Sequence, residues 1–103
     1  MGITAICSHV TADEARAILA EKSNLVIIDI RRDDEFSEGH IDGALHMDKF
    51  GNTFEADLAA LDRTKPCLMY CARGNRSQSV FALMQELGFA EVYHLKDGYN
   101  GLV

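Results

Sequence analysis

Residues 67–95, CLMYCARGNRSQSVFALMQELGFAEVYHL, change hydrophobic period twice, and those two changes decide the fold. Cys67 to Cys71 is an uncharged, largely apolar run, short enough for a strand buried on both faces. Val80, Phe81, Met84 and Leu87 then recur at helical spacing, and Gly88 stands where a helix is commonly closed by a residue of positive φ. Glu91 to Leu95 (EVYHL) returns to a strand pattern. Strand, helix and strand in succession form the unit of a parallel sheet with right-handed crossovers. The segment from Cys71 to Ser77 lies between the first strand and the helix, at the carboxyl end of a strand, where such sheets hold ligands.

The same alternation extends upstream. Thr11 followed by Glu14 is a capping box, and Ala15, Ile18 and Leu19 continue at helical spacing, so a helix is expected from Ala12 to Lys22. Leu25 to Ile30 (LVIIDI) is a nearly unbroken β-branched run of the kind found in a central parallel strand. Phe54, Leu58 and Leu61 predict another helix, ending before Lys65 and the only proline, Pro66. There is no internal repeat and no low-complexity linker. The pattern is that of an α/β layer fold with a mostly parallel sheet. With 103 residues, 48% of them hydrophobic, the chain can fill one core and not two, so a single domain spanning 1–103 is expected.

Sixteen acidic residues against ten basic ones give a net charge of −6, a field that repels nucleic acid and anionic membrane surfaces. Neither is an expected partner. No apolar run approaches the ~20 residues of a membrane-spanning helix. The start, MGITAICSHV, lacks the basic region and long apolar run of a signal peptide, and Ile6 stands where a myristoylation signal at Gly2 needs Ser or Thr. Cys7, Cys67 and Cys71 are an odd number without a framework spacing, which points to a reducing compartment. A cytoplasmic, monomeric protein is the expectation. Cys67 and Cys71 share a face of one strand, but with Cα atoms roughly 13 Å apart they cannot be bridged. His9, His46 and His94 are scattered without ligand spacing, so neither a metal site nor a cofactor is expected.

The loop Cys71, Ala72, Arg73, Gly74, Asn75, Arg76, Ser77 has a chemistry of its own. A thiol between a strand and a helix start faces unpaired backbone N–H groups and the positive end of the helix dipole. Gly74 permits positive φ or a close backbone approach, and Asn75 tolerates the left-handed region, so the amides can curl inward as a nest around one centre. Arg73 and Arg76 would place positive charge at its rim. These features should lower the Cys71 pKa from its model value of about 8.5 and yield a thiolate nucleophile. A free cysteine is ordinarily an inert core residue. A glycine and two arginines within five residues set this one apart.

CARGNRS resembles the active-site loop of the rhodanese family, whose pattern is C-x-x-G-x-R-[ST]. A second segment agrees: DIRRDDEFSEGHIDGALH, with Asp29, Arg31, Glu35, Phe36, Gly39, His40, Ile41, Gly43, Ala44 and His46, is similar to the family's D-x-R-x-x-x-E-F-x-x-G-H-I-x-G-A. The closing LKDGYNGLV is a weaker likeness to L-x-G-G-x-x-x-W, with Asp97 in place of the first glycine and Leu102 in place of the tryptophan. The resemblance implies a five-stranded, mostly parallel sheet flanked by helices on both faces. It also implies a ping-pong reaction in which Cys71 takes a sulfur from thiosulfate as a persulfide and yields it to a thiophilic acceptor, cyanide or a thiol. Ala72, Arg73, Gly74, Asn75 and Arg76 would cradle the persulfide and attract the anionic donor. Ser77, Asp29 and Arg31 would support the loop, and Glu35 and His40 would be structural anchors.

Two other functions fit the same residues. A cysteine-dependent phosphatase or arsenate reductase also uses a cysteine, an amide cradle and an arginine, but with a longer loop than Ala72, Arg73, Gly74 and Asn75 provide between Cys71 and Arg76. A sulfur-relay module would take its sulfur from a protein donor and pass it to a protein acceptor.

Overall fold

The computed structural model describes residues 5–103, and their short apolar runs alternate with amphipathic stretches from end to end. The order is β1 (Ile6–Val10), α1 (Ala12–Glu21), β2 (Val26–Asp29), α2 (Asp33–Glu38), β3 (Leu45–His46), α3 (Phe54–Ala59), β4 (Pro66–Tyr70), α4 (Arg76–Glu86), β5 (Glu91–Leu95) and α5 (Gly98–Leu102). The strands form one sheet in the order β1-β5-β4-β2-β3, and every pairing is parallel. The absence of a myristoylation signal at Gly2 concerns a position outside the described residues. No helix among the described residues is long and apolar enough to cross a membrane.

β4 occupies the middle of the sheet, and all five of its residues are buried. Its alternation feeds two cores. Cys67, Met69 and then Cys71 join Phe54 and Leu58 of α3 and Val80, Phe81 and Met84 of α4. Leu68 and Tyr70 join Ala15, Ile18 and Leu19 of α1 on the other face. Helices therefore cover both faces, as a parallel sheet requires.

Some boundaries differ from the sequence pattern. α1 closes at Glu21, with Lys22 as its cap, and β2 is shorter than LVIIDI by a residue at each end. β4 begins at Pro66, a first-residue position that a proline tolerates, and ends at Tyr70, so Cys71 lies just past the strand. The reason is a change of partner: the Cys71 carbonyl accepts from the Tyr99 N–H of α5 at 2.8 Å. α3 stops at Ala59 and leaves Leu61 in the following turn. α4 does end where Gly88 predicts, with the Phe89 N–H on the Met84 carbonyl at 3.1 Å and the Gly88 N–H on that of Gln85 at 3.1 Å. β1, β3 and α5 carry too little periodic apolar signal to be read alone: polar Ser8 and His9, two residues, and a glycine-bearing GYNGL.

The core argument predicts a contrast between two leucines. Leu58 is 0% exposed and Leu45 of the edge strand is 44% exposed. Leu58→Ala should cost about 3 kcal/mol of unfolding free energy, and Leu45→Ala less than about 1 kcal/mol. Urea denaturation of both variants, compared at equal slope, checks this.

Candidate active site

The Cys71–Asn75 loop is held from outside. The first turn of α5 donates its Tyr99 and Asn100 N–H groups to the carbonyls of Cys71 and Ala72, at 2.8 and 3.0 Å. In a planar trans peptide the C=O and the next N–H point in opposite directions, so outward carbonyls turn the following amides inward. The Ala72 carbonyl thus turns the Arg73 N–H toward the sulfur, and the Gly74 N–H, from the next peptide, donates to the Cys71 Sγ at 3.2 Å. Two glycines make the fit possible. Gly74 has φ +90° and a Cβ there would lie 1.9 Å from the Lys96 carbonyl oxygen; Gly98 has φ +71° and a Cβ there would lie 2.3 Å from that of Ala72. Asp97, which departs from the usual glycine pair, has φ −95° and ψ −1°, open to any residue.

The sulfur also serves as a helix cap. Asn75, the N-cap of α4, makes no side-chain capping bond, and the Cys71 sulfur sits at the head of that helix, where the Ser77 backbone N–H at the second position favours its charged form. Burial pushes the thiol pKa up, but the Ser77 hydroxyl and the amides of Ser77, Arg73 and Gly74 outweigh it, and the net direction is down. The residue is 1% exposed. It forms the floor of a cleft of about 280 Å³ lined by Ala72, Arg73, Asn75, Arg76, Glu35 and Asn100.

The two arginines of the loop are not equivalent. Arg76 is bound through both terminal nitrogens to the Glu35 carboxylate of α2, at 2.8 and 2.9 Å, and this pair holds the Glu35 pKa down at about 2. Its charge is committed to joining α2 to the head of α4. Arg73 is exposed, with no side-chain partner among the described residues. Glu35, expected as an anchor, is thus both anchor and cleft wall. Asn100 is a wall residue that sequence reasoning missed, because α5 itself was not legible.

Asp29 and Arg31 lie beside the cleft, outside its lining. Arg31 forks onto the buried Asp29 carboxylate at 2.8 to 3.1 Å, reaches the Gly39 carbonyl at 2.6 Å and stacks 4.5 Å from the Tyr99 ring. This strut joins the end of β2 to the α2 exit and to α5, whose amides hold the loop. His40 stacks on Phe36 at 3.7 Å and bonds its carbonyl at 2.9 Å, and His46 bonds the Arg31 carbonyl at 2.6 Å.

Behind the sulfur, the Ser77 Oγ lies 3.2 Å from Cys71 Sγ and 2.5 Å from His94 Nε2. His94 Nδ1 in turn lies 2.8 Å from His9 Nδ1. Reading the histidines as scattered missed this line. A signal was present: Val92 and His94 share one face of EVYHL, so an imidazole had to enter the core and find partners there. No cluster of three or more His, Cys, Asp or Glu among the described residues is placed to hold a metal ion.

Residues 11–103 match the family described as Rhodanese-like domain. A thiosulfate sulfurtransferase, GlpE, of Coxiella burnetii is 40% identical over 93 residues, covering 90% of this chain and 81% of that protein. The protein of the same name from Stutzerimonas stutzeri is 34% identical over 92 residues, covering 89% and 81%. The crystal structure of a rhodanese-like domain protein from Staphylococcus aureus superposes with a TM-score of 0.79 at 26% identity, over 93% of this chain and 91% of the other. Sequence match, sheet order and a cysteine loop seated at the head of a helix agree, and the chain belongs to the rhodanese-like domain family.

Proposed function

We propose that the protein is a sulfurtransferase that moves a sulfane sulfur from thiosulfate, or a similar anionic donor, to a thiophilic acceptor through a persulfide on Cys71. The observation that carries this reading is the buried sulfur held by the Gly74 N–H at 3.2 Å and beside the Ser77 hydroxyl at 3.2 Å, at the floor of a cleft. Such a site stabilises negative charge on sulfur, which both the thiolate and the persulfide require. The names of the thiosulfate sulfurtransferase relatives support the choice of donor.

In the first half-reaction the Cys71 thiolate attacks the outer sulfur of thiosulfate. A new S–S bond forms, the old one breaks, and its electron pair leaves on sulfite. In the second, cyanide or a thiol attacks the terminal sulfur, becomes thiocyanate or a persulfide, and returns the Cys71 thiolate. Each step is a displacement at sulfur of the kind that governs thiol–disulfide exchange. Ala72, Asn75 and Arg76 wall the space that the terminal sulfur enters, and Arg73 supplies the unpaired charge that draws in the donor.

A phosphatase reading is disfavoured by the same geometry, since Arg76 is committed to Glu35 and is not free to clamp phosphoryl oxygens. A relay fed by a protein donor would use the same persulfide, and thiosulfate turnover separates it from a thiosulfate enzyme.

Incubation with thiosulfate and cyanide should yield thiocyanate, and intact-protein mass after thiosulfate alone should rise by one sulfur atom that a reductant removes. Cys71→Ser should abolish both, and normal turnover by that variant would refute the assignment. Arg73→Ala should raise KM for thiosulfate about fivefold at nearly unchanged kcat, the effect of losing ~1 kcal/mol of exposed charge attraction. Steady-state kinetics at low and high salt checks it, because a screened attraction shrinks as salt rises.

A further inference from the structure

We propose that Ser77, His94 and His9 form a proton relay that removes the Cys71 thiol proton on the side away from the substrate cleft and delivers it to a second groove. This rests on the reading of Cys71 as the nucleophile and assigns two histidines a part in it. The geometry is a continuous line of polar atoms: Cys71 Sγ to Ser77 Oγ at 3.2 Å, Ser77 Oγ to His94 Nε2 at 2.5 Å, and His94 Nδ1 to His9 Nδ1 at 2.8 Å. Cys71, Ser77 and His94 are all buried, at 1%, 0% and 1% exposure, and His9 is exposed. The line therefore runs from a buried sulfur to solvent on the side away from the cleft.

The fold puts the two imidazoles together by register. His9 of β1 and His94 of β5 are directly paired positions of adjacent parallel strands, and both point to the face that α4 covers. Phe81 of α4 packs 4.7 Å from the His9 ring and 5.5 Å from that of His94. Ser77, one turn earlier on α4, reaches between His94 and the sulfur. On β4 the residue beside His94 is Met69, which has no proton to exchange. The groove at the far end is lined by His9, Gln78, Phe81, Gln85, His94 and Lys96, and none of these residues lines the Cys71 cleft. Lys96 is the one fixed charge among them, and no carboxylate faces either imidazole there.

Burial, and then the neighbouring His9, hold the His94 pKa down at about 4. At neutral pH its ring is uncharged and carries one proton, on either nitrogen, so it can pass a proton only by taking one up on one side and releasing one on the other. Before ionisation the donors run outward: the thiol S–H to Ser77 Oγ, the Ser77 O–H to His94 Nε2, and the His94 Nδ1–H to His9 Nδ1. Each proton then moves one place along the line. Ser77 receives the thiol proton and gives its own to His94 Nε2, and His94 gives its Nδ1 proton to His9, which releases the Nε2 proton to water. The product has a thiolate, a neutral serine, two neutral imidazoles and one proton in solvent. All donors now run inward, so Ser77 donates to the sulfur while His94 Nε2–H donates to Ser77. The donor anion in the cleft need not part for the proton to leave.

His94 and His9 are positioning residues for the thiolate, and the pH profile of Cys71 alkylation by iodoacetamide tests them. A Cys7→Ser background removes the half-buried thiol, and Cys67, whose pKa burial pushes up to about 11, stays unreactive over the range. His94→Phe keeps the buried ring and loses both bonds. It should move the alkylation midpoint to higher pH and slow the reaction about tenfold at any pH below the parent midpoint, the scale of one hydrogen bond to a charged group. His9→Ala, at an exposed position, should shift the profile the same way by a smaller amount, with partial recovery when imidazole is added. A shift in both variants supports the relay, and a His9→Ala profile that superimposes on the parent overturns it, whatever His94→Phe does. If His94→Phe does not fold, His9→Ala decides alone. A parent that titrates as described but takes no sulfur from thiosulfate would sink the sulfurtransferase reading and leave the relay standing.

Discussion

The structure depends on which way the peptide groups of one loop face. Cys71 and Ala72 turn their carbonyls out because the first turn of α5 presents two unpaired N–H groups to them, at 2.8 and 3.0 Å. The inward Arg73 amide follows from this: a helix start that needs acceptors and a thiol that needs donors meet opposite sides of the Ala72–Arg73 peptide, and the next amide, that of Gly74, donates to the sulfur at 3.2 Å. The tolerance is small. The backbone of the β5–α5 turn presses on Gly74, and the loop presses back on Gly98, at distances that no Cβ could share. The seat of α5 is fixed in turn by Arg31, which stacks on Tyr99 while the buried Asp29 holds its guanidinium flat.

Cys67 and Cys71 act as a natural control on this reading. They lie four residues apart, Cys67 near the start of β4 and Cys71 just past its end, enter the same core, and are both buried. Burial and the nearby carboxylates of Asp62 and Glu91 push the Cys67 pKa up to about 11, and its one polar contact is its own thiol donating to the Lys65 carbonyl. Cys71 moves the other way because donors converge on it. Desolvation alone disfavours a thiolate; desolvation with directed N–H and O–H groups favours one. The opposite shifts of the two thiols therefore follow from the loop and not from the cysteine.

This division explains what was legible in the sequence. The mostly parallel sheet and the position of Cys71 at the carboxyl end of a strand followed from local patterns, because β4 is buried along its length and β2 and α4 carry unbroken or periodic apolar residues, whereas helices on both faces were implied by the family resemblance. α5 was invisible because GYNGL is held by tertiary bonds and has no apolar stripe of its own. The pairing of Arg76 with Glu35, 41 residues apart, and that of His9 with His94, 85 apart, are products of strand order and not of spacing. A histidine on the inward face of β5 was the one trace that the second pairing left in the sequence.

Most of the guanidinium charge near the site is paired within the fold. Arg31 is neutralised by Asp29 and Arg76 by Glu35, both at hydrogen-bonding distance. Each guanidinium is spent on joining elements: β2 to α5, and α2 to the head of α4. The sulfur is left with neutral donors, the amides of Arg73, Gly74 and Ser77 and the Ser77 hydroxyl. Fixed dipoles suit a nucleophile that must both hold and release its charge, because they lower the energy of an anion without binding it as tightly as a full counter-ion would. A full positive charge at 3 Å would stabilise the resting thiolate as much as any later state, and uniform stabilisation of that kind gains no rate. On the proposed reading, keeping the paired arginines in the frame and only Arg73 at the mouth would separate attraction of the donor from activation of the sulfur.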